Sequence, residues 1–502
     1  MKRTLFGLGI ILLGSATVLS SCTKARGVSD KTGWNYNDSR LGGFDVKEFN
    51  NQQTGPGLVP IEGGRFVMGQ TEEDLYYSRN NIPRTVSVSS FYMDETEVAN
   101  VHYREYTYWM ARMYNSDYPE LVQASLPDTT VWRTALSYNE PLVNYYFRYA
   151  GYNEYPVVGV SWNQANQYCK WRSDRVNEMI LIKHGIIKRN PNQINEDVFT
   201  TQTYMSEQYI GEEGKNMKDL DPNSAGTRPT NYSDGYLVPD YRLPTEAEWE
   251  FAARGDIGNN PTARNKRRRG EEAHTDRNNY PWGDRGTRYN QRGQSSGEML
   301  ANYKRGRGDN MGVPGGLNDN ADIPAPVYSY QPNAYGLYNM AGNVSEWVLD
   351  VYRPTSLQDF DDFNPFVGNQ FMAYEYEEPG ELAERDSLGY IPKRVIDSSD
   401  LAGRYDRDYK TGDVRGILEG DSTTLAEFKF DYGKSSLINN DSRVIKGGSW
   451  NDRAYYMSPG VRRHMQANHA SSTVGFRCVM DRLGSPGFDN DAGNYFSNKR
   501  RK

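Results

Sequence analysis

Cysteine and histidine are scarce in this chain, which has three cysteines and five histidines among its 502 residues. The cysteines are Cys22, Cys169 and Cys478, and none stands between the last two. His464 and His469 are five residues apart, a spacing that does not place both on one face of a helix as an i, i+4 pair would. Few residues are therefore available for a metal centre or a redox site built from these side chains.

A hydrophobic run long enough to cross a membrane is missing at the start of the chain. The apolar run over residues 5–19 follows a basic start and is too short to span a bilayer core of about 30 Å as a helix. It predicts an export signal over residues 1–21 that is removed. The sequence Leu19-Ser20-Ser21-Cys22 resembles a bacterial lipobox, which implies a lipid on Cys22. An ordinary signal peptide with a chance cysteine is the alternative.

Composition narrows the class of protein. The formal net charge of −7 and the pI near 5.5 give no global reason to expect nucleic acid as a partner. At 37% hydrophobic residues, the chain can bury one large core, in a single domain or a domain with insertions. The 38 tyrosines favour a protein-binding role, because many are expected to be partly exposed contact surface.

Frequent glycine and proline, 48 and 24 residues, interrupt every periodic pattern after a few positions. They predict an α+β, loop-rich fold with short strands and few helices. One helix is expected from Glu246 to Arg254, because Thr245-Glu246-Ala247-Glu248 is a capping box and Gly255 stands where a left-handed residue would end it.

A second, longer helix is expected after Ser161. Ser161-Trp162-Asn163-Gln164 offers the same capping device, and the apolar run Val157–Val160 before it predicts a strand. Val176, Met179 and Ile180 keep the spacing of a buried helix face, so the helix is expected to continue past Trp171.

Seven sequence blocks occur in a fixed order between about Gly57 and Arg482. They are Ile61–Gly69, Phe91–Val98, Pro156–Trp162, Arg242–Glu250, Tyr280–Gly283, Gly336–Trp347 and Gly475–Cys478. Together they resemble the formylglycine-generating, sulfatase-modifying enzyme family, whose fold is distantly like that of C-type lectins. The resemblance implies one such domain over residues 57–482 with insertions at about 190–240 and 351–442. A lipid-anchored tether at 22–56 and a basic tail at 483–502 flank it.

The chemistry of that family is missing from the chain. In the family, two cysteines between the Gly-Gly-Ser block and the closing Gly-Phe-Arg-Cys bind copper and oxidise a substrate cysteine. Here residues 451–463 read Asn-Asp-Arg-Ala-Tyr-Tyr-Met-Ser-Pro-Gly-Val-Arg-Arg. The resemblance therefore implies a pseudoenzyme with no catalytic residues and no catalytic cofactor.

The resemblance also implies a disulfide and two calcium sites. Cys169 and Cys478 match the family's structural bridge, and an oxidising periplasm would preserve it; two buried free thiols are the alternative. The first calcium site would use Asn339, the carbonyls of Gly342 and Val344, and Glu346. The second would use Asn302, the carbonyl of Tyr303, and Asp319. A hard cation prefers such oxygen ligands, although these residues could simply be turn and cap residues.

The lipobox, the short tether Gly33–Asp38 and residues Val351–Ser356 narrow the resemblance further. They are similar to the GldJ and GldK lipoproteins of Bacteroidota, with GldJ favoured. The implied role is a scaffold in gliding motility and type IX protein secretion at the periplasmic face of the outer membrane, with GldK- and GldN-like ring components as partners. Five residues would line the former active-site cleft and hold a partner's loop, unless they simply pack against the domain: Arg453, Tyr455, Tyr456, Arg462 and Arg463.

Other function classes stay open on the sequence alone. A catalytic oxidase of the family type would need the missing thiolate pair, and the related ergothioneine-type oxygenases need a histidine-rich domain. A lectin-like surface adhesin is a further alternative, but the chain has no paired carboxamide and carboxylate sugar signature. Basic clusters at Arg264–Arg269 and Lys499–Lys502 are solvated charge or docking sites for acidic partners or lipid headgroups.

Overall fold

The structure of the chain is a computed structural model. The structure describes residues 27–47, 52–70, 76, 80–212, 214–224, 226–255, 279–283, 286–290, 292–293, 295–306, 319, 321–352, 365–368, 372–378, 381–386, 388–396 and 441–484. Cys22, the export signal, the basic cluster Arg264–Arg269 and the basic end Lys499–Lys502 lie outside these residues.

Six α-helices and sixteen short strands are found in the described residues. The helices are α1 (Asn100–Tyr114), α2 (Pro119–Ser125), α3 (Glu140–Tyr145), α4 (Trp162–Lys183), α5 (Thr201–Met205) and α6 (Glu246–Arg254). The strands are β1 (Leu58–Ile61), β2 (Gly64–Met68), β3 (Arg84–Val88), β4 (Phe91–Asp94), β5 (Met217–Lys218), β6 (Thr227–Arg228), β7 (Tyr241–Arg242), β8 (Ser345–Val351), β9 (Met372–Tyr374), β10 (Tyr376–Glu378), β11 (Glu381–Leu382), β12 (Lys393–Val395), β13 (Ser442–Lys446), β14 (Arg463–Gln466), β15 (Val474–Gly475) and β16 (Val479–Asp481).

Two four-stranded sheets form the centre of the fold. One has the order β1-β4-β16-β7 and is antiparallel throughout; the other has the order β14-β13-β8-β15, in which β15 runs parallel to β8. Only Phe476, Arg477 and Cys478 separate β15 from β16, so these residues join the two sheets. Four two-stranded pairs, β2-β3, β5-β6, β9-β12 and β10-β11, complete the sheets of the described residues. The predicted α+β, loop-rich fold is confirmed.

The predicted capping boxes both form. The Thr245 hydroxyl accepts from the Glu248 amide at 3.2 Å, and the Glu248 carboxylate accepts from the Thr245 amide at 2.8 Å. Helix α6 then ends at Gly255 in the left-handed conformation, with φ of 59°. Ser161 and Gln164 cap α4 in the same way. Local hydrogen bonding decided both helix starts, which is why they were readable from sequence.

The prediction for the buried face of α4 was wrong at one position. Ile180 is buried, but Met179 is 64% exposed. The helix buries Asn177 instead, whose amide donates to the Thr201 hydroxyl at 3.1 Å and to the Val238 carbonyl at 3.3 Å. Residues from the first insertion thus cover a polar face of the helix, which an apolar spacing rule does not detect.

The run Val157–Val160 is buried but does not form a strand. Gly159 has a φ of 76°, and a Cβ on it would lie 2.3 Å from the Asp128 carbonyl oxygen. This turn towards Asp128 breaks the extended backbone, so the run stays irregular and Pro156 makes only an isolated bridge to Ala99.

Many tyrosines were expected to be partly exposed, and several are, but tyrosine also fills much of the core. Tyr103 stacks on Tyr168 at 5.6 Å, and Tyr168 meets Phe476 edge-on at 5.3 Å. Buried hydroxyls find backbone acceptors: Tyr103 donates to Ser125 at 3.0 Å and Tyr146 to Pro156 at 2.7 Å. Part of the tyrosine content is therefore structural, and it carries less weight as a sign of partner binding.

Insertions and tether pack onto the domain. The described part of the second insertion places Tyr390 on α4, where its hydroxyl donates to Asp174 at 2.5 Å. In the tether, residues 27–47 form a compact set of turns, and Asp45 pairs with Arg228 of the first insertion at 3.3 Å. None of the helices in the described residues is both long and apolar enough to cross a membrane.

Candidate functional site

The segment that the resemblance assigns to the family's active site follows β13 directly. Gly447 and Gly448, with φ of 92° and 67°, turn the chain back over the sheet. A Cβ on Gly448 would lie 2.9 Å from the Tyr456 carbonyl oxygen, so the return path requires glycine. The segment then forms a 3-10 turn at Ala454–Met457 before entering β14.

Asp452 holds this segment closed. Its carboxylate accepts two hydrogen bonds from Arg463, at 2.8 and 2.7 Å, and one from the Ser449 hydroxyl at 2.5 Å. Arg463 also donates to the Ser345 hydroxyl at 2.8 Å. These contacts join the start of the segment to its end and to β8, so Arg463 acts as a structural tie as well as a partly exposed cation.

Three tyrosines form a surface cluster beside that tie, which we call the aromatic patch: Tyr76, Tyr455 and Tyr456. The Tyr76 ring meets Tyr455 edge-on at 4.9 Å and stacks on Tyr456 at 6.3 Å. The Arg463 guanidinium lies 4.7 Å from the centre of the Tyr456 ring. Partial burial and the neighbouring Tyr76 raise the pKa of Tyr456. Because Tyr76 is 63% exposed, the patch presents aromatic surface to solvent.

The five predicted cleft residues divide between surface and core. Arg453 is exposed and donates to the Arg305 carbonyl at 3.1 Å, while Tyr455, Tyr456 and Arg463 are half-buried. Arg462 is 3% exposed and pairs with Glu246 at 2.7 Å. Arg462 therefore packs in the interior, and the other four lie where a partner could reach them.

The structure shows a buried charge network that the sequence did not predict. Lys446 lies 3.4 Å from Glu246 and 3.2 Å from Glu250, and Arg254 pairs with Glu250 at 2.7 Å. Burial raises the pKa of Glu250, but Lys446 and Arg254 outweigh it and lower that pKa to about 2. The clue in the sequence was the alternation of acidic and apolar residues along α6, all nine of whose residues are buried. Neither cysteine nor histidine is among these four paired residues.

Cys169 and Cys478 meet in the core. Their sulfur atoms are 3.4 Å apart, with the side chains 1% and 0% exposed, and both are free thiols in this structure. A disulfide would require the sulfurs to approach to about 2.05 Å. The structure thus brings together the two cysteines that the resemblance paired, and the covalent bond stays a prediction.

The loop of the first predicted calcium site surrounds a buried acid that the sequence reading missed. Glu97 accepts from the side-chain amides of Asn339 at 2.9 Å and Asn343 at 3.0 Å. Burial raises the pKa of Glu97 to about 8, against the lowering effect of Arg477. Asn339 and Asn343 have φ of 54° and 62°, which fits Asn residues in tight turns. The family block Phe91–Val98, in which Glu97 lies, was the available signal.

Glu346, the predicted acidic ligand of that site, is already engaged. Its carboxylate accepts from Arg477 at 2.7 and 2.8 Å and from the Trp249 indole at 2.8 Å. Gly342 passes so close to Asn302 that a Cβ would lie 2.4 Å from the Asn302 carbonyl oxygen, and Val344 is buried. A cation at this loop would have to share Glu346 with Arg477.

The second predicted calcium site has an oxygen without a partner. Asn302 is 1% exposed, and its side-chain oxygen accepts no hydrogen bond. Next to it, the Tyr303 amide donates to the Asp319 carboxylate at 3.3 Å. The structure therefore brings Asn302, Tyr303 and Asp319 together, and the unpartnered oxygen fits a site for a hard cation.

A cavity of about 820 Å³ opens beside that site. Its walls include tyrosines and acidic residues: Tyr152, Tyr155, Tyr330, Glu298, Asp319 and Asp322. No lysine, arginine or histidine is found among the described lining residues. Within the described residues, no group of three or more His, Cys, Asp or Glu side chains has the arrangement of a metal centre.

Comparison with known proteins shows which family the chain resembles along most of its length. The sulfatase-modifying factor enzyme 1-like domain model matches residues 44–482. The formylglycine-generating enzyme of Streptomyces coelicolor is 24% identical over 322 residues, which covers 60% of this chain and 70% of that protein.

Relatives include a protein described as inactive, the inactive Cα-formylglycine-generating enzyme 2 of Mus musculus. It is 25% identical over 317 residues, covering 60% of this chain and 70% of that protein. Among solved structures, Treponema denticola variable protein 1 covers 84% of this chain and 94% of its own, at 18% identity and a TM-score of 0.34. The match over residues 44–482 and the ordered sequence blocks establish that the chain belongs to the formylglycine-generating, sulfatase-modifying factor family.

Proposed function

We propose that this protein is a non-catalytic, lipid-anchored scaffold that binds partner proteins at the periplasmic face of the outer membrane. The proposed setting is the gliding motility and type IX secretion machinery, as a GldJ-type or GldK-type lipoprotein. Its proposed partners are GldK- and GldN-like ring components. The lipid anchor is proposed on Cys22.

The observation that carries the proposal is the absence of a reactive thiol from the family's active-site segment. Oxidation of a substrate cysteine requires thiolates that copper and a peptide can reach. Residues 449–463 contain no cysteine and are tied together by Asp452 and Arg463. In the described residues, both cysteines are buried, and burial together with the neighbouring Cys169 raises the pKa of Cys478.

The aromatic patch supports a binding role at the same place. Tyrosine and arginine are enriched in protein interfaces, because each combines a large contact area with a polar group. Here Tyr76, Tyr455 and Tyr456 present rings to solvent, with Arg463 beside them and Arg453 exposed nearby. We infer that a partner's loop docks on this patch, at the position where the family's enzymes take their substrate.

Calcium is proposed as a structural ion. The proposed ligands of the first site are Asn339, Gly342, Val344 and Glu346. The proposed ligands of the second site are Asn302, the Tyr303 carbonyl and Asp319. The unpartnered Asn302 oxygen supports the second site. Calcium would supply positive charge to buried oxygens and take no part in catalysis.

Two experiments test the function. Chemical crosslinking in membranes, followed by pull-down and mass spectrometry, is expected to recover outer-membrane ring lipoproteins with the unmodified chain. The Tyr455→Ala, Tyr456→Ala double variant is expected to lose these partners. The control double variant, Tyr138→Ala, Tyr149→Ala, removes two exposed rings outside the patch and is expected to keep them. Equal recovery with both variants would reject the patch as the docking site.

The second experiment addresses catalysis directly. The purified chain is incubated with a cysteine-containing peptide, Cu(I) and dioxygen, and the product is analysed by mass for conversion of cysteine to formylglycine. We expect no turnover above the peptide alone, with an active family member as the positive control. Turnover would refute the non-catalytic proposal. Protease shaving of intact cells separates the remaining alternative, since a surface adhesin would be cut and a periplasmic scaffold would be protected.

A further inference from the structure

Residues 27–47 form a small folded unit, which we call the anchor module. Val28 and Asn35 pair in an antiparallel bridge, and the Tyr36 amide donates to the Gly27 carbonyl at 2.6 Å. The Asn37 side chain closes the other end, because it donates to the Val46 carbonyl at 3.1 Å and accepts from the Val46 amide at 2.8 Å. These bonds fix the module's shape over its whole length.

The module presents apolar side chains to solvent. Trp34 is 57% exposed and Phe44 is 66% exposed, and Leu41 and Val46 are more than one-third exposed. Tyr36 packs edge-on against Phe44 at 5.6 Å. Tryptophan and tyrosine are the residues that accumulate at the level of lipid headgroups, since one part of each ring is apolar and another forms hydrogen bonds.

Charge on the segment is concentrated next to Cys22 in the sequence. Residues 23–47 carry five basic and three acidic side chains, and two of the basic ones, Lys24 and Arg26, stand between Cys22 and the module. Within the module three basic and three acidic residues balance, and Arg40 pairs with Asp38 at 3.1 Å. Attraction to anionic lipids would therefore come from the residues next to Cys22, and the module itself contributes its exposed aromatic rings.

Chain length then limits where the module can be. Five peptide bonds separate Cys22 from Gly27, and a fully extended chain spans at most about 18 Å over that length. Trp34 lies next to Gly27 in space, because Val28 pairs with Asn35. If Cys22 carries the lipid of the proposed function, the exposed rings cannot be far from the bilayer that holds it.

The module is also fastened to the body of the domain. Asp45 pairs with Arg228, and Arg228 in turn binds Asp234 through two hydrogen bonds, at 2.6 and 2.7 Å. Gly43 approaches the first insertion so closely that a Cβ would lie 2.1 Å from the Leu220 carbonyl oxygen. A surface contact made by the module is therefore transmitted to the orientation of the whole domain.

We propose that Trp34 and Phe44 dock the anchor module onto the lipid surface that holds Cys22, so that the first insertion faces the membrane. This inference rests on the lipid anchor of the proposed function and extends it. The acyl chains hold the protein at the membrane, and the two rings set its orientation there. Two signals together bind more firmly than a single lipid chain does.

Hydroxyl-radical footprinting of the full-length lipidated chain tests the docking. The chain is placed on vesicles of phosphatidylethanolamine and phosphatidylglycerol at a ratio of about three to one, near the anionic content that attracts basic segments. We expect oxidation of Trp34 and Phe44 to fall at least about fivefold relative to the same chain dispersed without vesicles, because a bilayer excludes water from the rings it covers. Oxidation of Tyr138 and Tyr149 should stay unchanged. Unchanged oxidation of Trp34 and Phe44 would overturn the docking.

A partition measurement provides the second readout. The full chain with Cys22→Ser is mixed with the same vesicles and sedimented. Adding Trp34→Ser and Phe44→Ser is expected to lower its partition coefficient at least about tenfold, because two large apolar side chains lose their burial. Adding Tyr138→Ser and Tyr149→Ser instead is expected to leave the partition coefficient within about twofold, because these two rings are outside the proposed docking surface. Thermal melting confirms that each variant is folded.

Each failure has a distinct meaning. An intact mass without acyl groups on Cys22 would overturn the anchor of the proposed function. Acyl groups present with the rings still oxidised would overturn the docking alone and leave the anchor. Protection of Trp34 in whole membranes but not on protein-free vesicles would assign the rings to a protein partner, and that would also overturn the docking on lipid.

Discussion

Arg477 and Glu346 form a buried ion pair joined by two hydrogen bonds, and their side chains are 0% and 1% exposed. Arg477 lies between β15 and β16, and Glu346 lies on β8, so the pair joins the two central sheets. Arg477 also donates to the Asp94 carbonyl at 3.1 Å and the Tyr338 carbonyl at 2.8 Å. Because a buried charge is stable only when paired and fully hydrogen-bonded, this contact constrains how the sheets meet.

Arg477→Ala is expected to destabilise the domain by about 3 to 5 kcal/mol, because it leaves the Glu346 carboxylate buried without its partner. Denaturant unfolding monitored by fluorescence measures the change. Arg40→Ala serves as the control: it breaks an exposed pair with Asp38, which solvent screens, and is expected to leave the unfolding free energy nearly unchanged. A loss below about 1 kcal/mol for Arg477→Ala would show that the pair does not hold the sheets together.

Cys169 and Cys478 are predicted to be oxidised in the exported protein. They stand 309 residues apart in the chain, and closing so long a loop is worth about 5 to 6 kcal/mol in the chain-entropy model. Unfolding without reductant, alkylation and intact-mass analysis should show no modification of these thiols, and two modifications after reduction. The Cys169→Ala, Cys478→Ala variant gives the baseline. Two alkylated thiols before reduction would contradict the disulfide.

Glu97 is expected to make stability fall as pH rises. Burial raises its folded-state pKa from 4.5 to about 8, so the folded state binds a proton that the unfolded state releases. The resulting stabilisation is fully present below pH 4.5 and is lost as pH rises through about 8, with a limit of roughly 3 to 5 kcal/mol.

The test of this titration compares Glu97→Gln with the unmodified chain in unfolding experiments from pH 5 to pH 9 without divalent cations. The variant should lose most of the decline and be the more stable of the two at the alkaline end. Asp350, whose pKa burial and the nearby Glu246 raise to about 7, contributes a decline of the same sign in both proteins. Parallel curves for the two proteins would show that Glu97 is ionised in the folded state throughout.

Calcium is expected to raise the melting temperature, and chelation to lower it. A ligand at about one hundred times its dissociation constant stabilises by about 2.7 kcal/mol. Asp319→Asn should abolish most of the response because it removes a charged ligand of the proposed second site. Asp322→Asn, at an exposed neighbouring position, should keep it. An equal response in both variants would exclude Asp319 as a ligand.

Local patterns in the sequence predicted the elements whose ends depend on nearest neighbours. The helix Glu246–Arg254 formed with both predicted ends, since Thr245, Glu248 and Gly255 satisfy the terminal backbone groups within a few residues. The ordered blocks predicted the fold, and the family match confirmed it. The lack of cysteine in residues 449–463 was equally visible, because residue identity needs no coordinates.

Long-range contacts decided the rest. Gly159 turns towards Asp128, so an apolar run that predicted a strand became irregular. Asn177 is buried because the first insertion supplies Thr201 and Val238 as partners, whereas Met179, two positions later on the same helix, is exposed. Neither outcome is encoded in the spacing of the residues concerned, since each partner comes from a different part of the chain.

By itself, the sequence determined the family, the helix starts and the lack of cysteine in residues 449–463, since these depend on residue identity and local hydrogen bonding. Tertiary structure alone decided that Arg462 is interior, that Glu97 sits between Asn339 and Asn343, and that Tyr76 joins Tyr455 and Tyr456 at the surface. The physical reason is that burial and pairing depend on which distant segments meet, and the energy of a charge or a ring depends on that environment far more than on its neighbours in sequence.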